Sequence, residues 1–93
     1  MKLEINQQIL SDNATTDMII QSINDLPSDD EAIIIVYEAD DIFLQAGGIP
    51  KSGLMMSYIN AITGDDLQSK NHNLAPQTVE RVFKHFVEGN SKW

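Results

Sequence analysis

Apolar and polar positions along this chain repeat with two different periods, and the switches between them mark its elements. In the opening KLEINQQIL, Leu3 and Ile5 alternate with polar neighbours, which predicts a short strand. SDNATTD then offers several helix N-cap residues, with Asp17 favourably near the positive end of a helix dipole. From Asp17 to Leu26, Ile19, Ile23 and Leu26 share one helical face with Ile20 beside them, and Pro27 ends the stripe. EAIIIVYEADDIFLQAGG predicts a hairpin. Ile33 to Tyr37 is rich in β-branched residues and too short for an independent helix. Ala39-Asp40-Asp41 is polar enough to turn, and on the return strand Ile42, Leu44 and Ala46 share one side while Phe43 and Gln45 take the other.

The segment from Leu54 to Thr63 fits both periods. Leu54, Met55, Tyr58, Ile59 and Ile62 suit a helix capped by Ser52 and Gly64. A strand with Met56, Tyr58, Asn60 and Ile62 on one side fits equally. The flanking Gly-Gly and TGDD resemble loops of an antiparallel meander and favour the strand, with a short fifth strand near Leu67 to Asn71. The last element is unambiguous. Pro76 suits a first helical position, Val79, Val82, Phe83, Phe86 and Val87 recur at helical spacing, and Gly89 supplies the stop. Glu80 and Lys84 are spaced for an ion pair on the solvent side.

These elements predict an α+β domain over residues 1–93, with an antiparallel sheet of about four to five strands, a helix in the N-terminal half and a C-terminal helix. At 93 residues the chain has room for one modest core. It has no cysteine, which removes disulfides and thiolate chemistry, and no apolar run of membrane-spanning length. The opening residues lack the apolar stretch of a signal peptide, so the expected location is cytoplasmic.

Charge changes the picture more than composition does. The net charge is −8, and between Lys2 and Lys51 the chain carries only acids: Glu4, Asp12, Asp17, Asp25, Asp29, Asp30, Glu31, Glu38, Asp40 and Asp41. Such a field repels nucleic acid and anionic membrane and attracts basic partners. The plainer reading is solubility.

Candidate chemistries fare poorly. GGIPKSG departs from a phosphate-binding loop because Lys51 and Ser52 precede the final glycine and Pro50 removes an amide donor. It reads as a turn in which Gly47-Gly48 lets the chain leave the strand and Pro50 stops ladder pairing. His72 and His85 lack metal-ligand spacing, and EADDIF and TGDDLQ lack the spaced acids of a calcium loop, so neither metal nor cofactor is expected. His85 falls on the Arg81/Lys84 side of its helix, where exposure is the simplest expectation. No catalytic residue is assigned, and the chain is expected not to be an enzyme. Trp93, the lone tryptophan, is expected to fold back beside Phe86 rather than stand as an interface residue.

The order INDL, two apolar strands, Gly-Gly, MMSYINAITGDDLQ and VERVFKHFVEGNSKW resembles the small immunity proteins of bacterial polymorphic toxin systems. The residues that carry this are Gly47, Gly48, Tyr58, Asn60, Phe83, Phe86, Gly89 and Trp93, all structural in kind. The resemblance implies an antiparallel sheet with helices packed on one face. It also implies action by binding, with an acidic surface that neutralises a basic toxin. The contact would fall on Asp29, Asp30, Glu31, Glu38, Asp40 and Asp41 around the hairpin. The alternative is a small homo-oligomeric interaction or adaptor module, a homodimer in its simplest form, with Met55, Met56 and Trp93 as its exposed apolar contact.

Overall fold

The computed structural model describes residues 1–89. The chain folds as β1 (Lys2–Ile5), β2 (Gln8–Ser11), α1 (Thr16–Asn24), β3 (Ala32–Ala39), β4 (Ile42–Ile49), β5 (Gly53–Asn60), β6 (Asp65–Gln68) and α2 (Pro76–Val87). The strands form one open antiparallel sheet in the order β2-β1-β3-β4-β5-β6. The α+β class therefore holds, with six strands rather than four to five. Since β1 lies between β2 and β3 and opposes both, β2 and β3 run the same way. A connection between parallel strands must cross over the sheet, and α1 makes it.

The extra strand comes from KLEINQQIL, which is a hairpin rather than one strand. Asn6 and Gln7 take φ of 50° and 71°, the two-residue turn whose twist matches its flanking strands. Asn6 is also stitched to β3: its N–H donates to the Ile33 carbonyl at 2.9 Å, and the Ile33 N–H donates to Asn6 Oδ1 at 2.9 Å. A side chain thus completes a ladder that the turn would otherwise break.

The Gly-Gly pair also sits differently from its expected place at a strand exit. Gly47 and Gly48 lie inside β4, paired with Met55 and Leu54 on one side and with Ile33 and Ala32 on the other. The turn comes later, at Pro50 to Ser52, closed by the Ser52 N–H donating to the Ile49 carbonyl at 2.9 Å. Gly48 has φ +136°, and a Cβ there would meet the Gly53 carbonyl at 2.8 Å. The pair therefore allows close backbone approach within the sheet. Residues Leu54 to Asn60 are strand, as the flanking loops implied, and β6 begins at Asp65, slightly earlier than expected.

Both helices cover one face of the sheet. Register places Leu3, Val36, Leu44, Tyr58 and Leu67 in one row of that face, and Ile5, Ile34, Ala46 and Met56 in the next. Helix α1 contributes Ile19 and Ile23 to the core, and α2 contributes Val79, Phe83 and Phe86. Thr15 caps α1 by accepting from the Met18 N–H at 3.2 Å. Burying a side chain such as Phe83, wholly inaccessible, stabilises by about 1.5–3 kcal/mol through its apolar area. Among the described residues no helix is long and apolar enough to cross a membrane.

Candidate binding surface

The six acids singled out above do not meet in one patch. Asp29, Asp30 and Glu31 precede β3, whereas Glu38, Asp40 and Asp41 lie at its far end and in the β3–β4 turn. Eight residues of extended chain hold the two groups roughly 25 Å apart. All six are exposed. Tertiary structure enlarges the second group. Ser11 pairs with Leu3 at that end, which brings Asp12 close, and Asn60 pairs with both Ile42 and Asp65, which brings Asp65 and Asp66. Only two ion pairs are formed among the described residues: Lys2 Nζ to Asp40 Oδ1 at 3.7 Å, and Lys51 Nζ to Asp29 Oδ1 at 3.5 Å. Each acid group thus retains a negative excess. Glu80 and Lys84 form no ion pair despite their spacing.

Between the two acid groups lies the face of the sheet that no helix covers. Its rows follow from register: Lys2, Tyr37, Phe43, Ile59 and Asp66 in one, and Glu4, Ile35, Gln45, Ser57 and Gln68 in the next. Ile33, Gly47 and Met55 make a third. Aligned residues of neighbouring strands point to the same side. The Tyr37 and Phe43 rings sit 5.3 Å apart by centroid, with Lys2 Nζ 4.3 Å from the Tyr37 centroid. Ile33 is 40% exposed, and Ile35, Phe43, Met55 and Ile59 are half-buried. Tyr37 has its pKa raised above the usual 10.0. Partial burial is the largest cause, followed by the Glu4 charge, the Tyr37 hydroxyl's donation to Glu4 Oε1 at 3.4 Å, and the Asp40 charge.

The proposed apolar contact of Met55, Met56 and Trp93 does not stand as one surface. Met55 lies on the uncovered face, but Met56 points the other way and is buried under the helices at 4% exposure, because neighbours in a strand face opposite sides. Trp93 lies outside the described residues, as does its expected contact with Phe86. The resemblance residues Tyr58, Asn60, Phe83 and Phe86 serve packing. Phe86 meets Tyr58 edge-on at 6.2 Å between centroids, Asn60 Nδ2 donates to the Tyr58 hydroxyl at 3.3 Å, and Phe83 is core.

On the covered side, α2 does not reach the β6 edge. A groove of about 320 Å³ remains there, lined chiefly by Leu44, Met56, Tyr58, Leu67, Leu74 and Val82. Its walls are largely apolar and carry no charged side chain. No group of three or more His, Asp or Glu side chains placed to hold a metal occurs among the described residues. His85 is half-buried rather than exposed, with Nδ1 sheltered and without a hydrogen-bond partner. Lys51 and Ser52 sit in a turn between antiparallel strands, not in a loop that opens a helix, so the geometry of a phosphate cradle is lacking.

Comparison with protein-family models, with curated proteins and with solved structures finds no match to this chain.

Proposed function

We propose that this protein works by binding rather than catalysis, and that its partner is a basic protein held through carboxylate-rich ends of the sheet. The resemblance to small immunity proteins makes a toxin the candidate partner, neutralised by occupation of its cationic surface. The observation that carries this reading is the pair of exposed acid groups at the two ends of β3, each opposed by a single lysine ion pair. Such an arrangement speeds encounter with a cationic protein and turns away nucleic acid.

The test is co-purification of the chain with the basic product of a neighbouring gene, repeated at rising ionic strength. The complex is expected to form at low salt and to weaken as screening shortens the reach of the charges. A complex indifferent to salt, or none at all, overturns the electrostatic reading.

The uncovered apolar face favours a second reading, self-association without a toxin. Light scattering decides it: a strict monomer at high concentration removes this alternative.

A further inference from the structure

We propose that the uncovered face of the sheet is the docking surface for the basic partner, with Tyr37, Phe43 and Met55 at the centre of contact and the two acid groups as its flanks. This inference rests on the basic-partner reading and adds to it where the contact lies and what the partner must present.

The face has the make-up of an interface. Its middle is apolar and aromatic, through Ile33, Ile35, Tyr37, Phe43, Met55 and Ile59. On the β1 side Lys2 and Glu4, of opposite charge, border Tyr37 and Ile35, and the acids in excess stand at the two ends. An apolar centre within a charged rim is the usual anatomy of a protein contact. Tyr37 and Phe43 are already held against one another by the cross-strand pairing and the 5.3 Å ring contact. Anchors ordered before binding lose little freedom when they bind.

Size and charge then select the occupant. Five strands spaced about 4.8 Å apart, with the longest near 25 Å, give a flat footprint on the order of 500 Å². A standard interface covers about 800 Å² on each partner. A stable complex must therefore reach past the apolar middle onto the flanks. At one end those flanks are Asp29, Asp30 and Glu31, and at the other Glu38, Asp40, Asp41, Asp65 and Asp66. Because both ends are anionic, a second copy stacked on this face sets acid against acid in either orientation, at −8 on each chain. A partner with an apolar patch flanked by Lys or Arg at both ends meets no such repulsion.

The test is an amide chemical-shift titration of the isotope-labelled full chain at low salt with two synthetic peptides of equal charge. One alternates Lys with Leu and the other Lys with Ser, each about ten residues long, enough to cross the face when extended. The Lys-Leu peptide is expected to bind at least about tenfold more tightly, with shifts centred on Ile35, Tyr37, Phe43, Met55 and Ile59. Phe43→Ser and Met55→Ser, both charge-neutral, are each expected to remove that preference while the rest of the spectrum stays folded. If either variant unfolds, Ile33→Ser, at an already exposed position, takes its place. Equal affinity for both peptides, with shifts confined to the acid loops, overturns the docking face and leaves the basic-partner reading intact. Binding of neither peptide overturns both. Shifts at Leu67, Leu74 and Val82 instead assign the contact to the groove, and concentration-dependent broadening of the face without peptide assigns it to a second copy. Either result overturns the proposal.

Discussion

Gly53 opens β5 with φ +106°, and a Cβ built on it runs into the backbone of Asn73. The chain after β6 passes over this point to make the Leu54–Leu74 bridge. Gly53→Ala is therefore expected to lower stability by about 1–3 kcal/mol, read from the denaturant midpoint. Gly64→Ala meets open space and loses only the advantage of glycine at positive φ. Tyr37 gives a pH-dependent readout. The folded chain holds its hydroxyl neutral more firmly than the unfolded chain does. This contribution to stability is whole below pH 10 and is lost as pH rises through the raised folded value. In a Tyr58→Phe background, where Tyr37 is the remaining tyrosine, Glu4→Gln is expected to bring its ionisation back toward 10.0, followed by tyrosinate absorbance. Burial, the largest cause, keeps part of the elevation.

The elements differ in how fully local sequence specified them. Helix α2 was legible from its apolar spacing alone, and Val79, Phe83 and Phe86 are the residues it buries. Phe83→Ala is expected to cost about 3–5 kcal/mol in a chemical denaturation series, since the side chain is inaccessible and α2 packs on both α1 and the sheet. The β1–β2 hairpin was missed because Asn6-Gln7 carries no glycine and because Ile9 and Leu10 look like a continuation of the first strand. Gln7 pays for its positive φ with local strain. Gln7→Gly is expected to raise the denaturation midpoint modestly, by a few tenths to about 1 kcal/mol, while Asn6 must remain to pair with Ile33. The Gly-Gly pair was misplaced for a related reason. Glycine marks close approach as readily as it marks a turn, and only the pairing of β4 on both sides distinguishes the two.

Taken as a whole, the molecule carries more negative charge than its ion pairs compensate. Raising NaCl from about 0.02 to about 0.2 M is expected to raise the melting temperature, because screening relieves self-repulsion of the folded state. The same addition is expected to weaken any complex with a basic partner. Relief of self-repulsion is expected of any chain of this charge, so it is the salt-weakened complex that separates a binding role from solubility alone. A melting temperature that falls with salt removes the excess-charge account.

The sequence by itself determined the α+β class, the identity of both helices, the strand character of five of the six strands (β5 through its flanking loops) and the one-sided charge of the N-terminal half. These follow from period, capping and composition, which are local. Tertiary structure decided which apolar face of the sheet is covered. Ile33 to Tyr37 is apolar on both sides, and only the docking of α1 and α2 makes Ile34 and Val36 core while Ile35 and Tyr37 stay open. It also decided that acids close in sequence stand far apart, because a strand advances about 3.3 Å per residue, and that acids distant in sequence gather where strand ends align. Periodicity says which residues share a face. Packing alone says what that face meets.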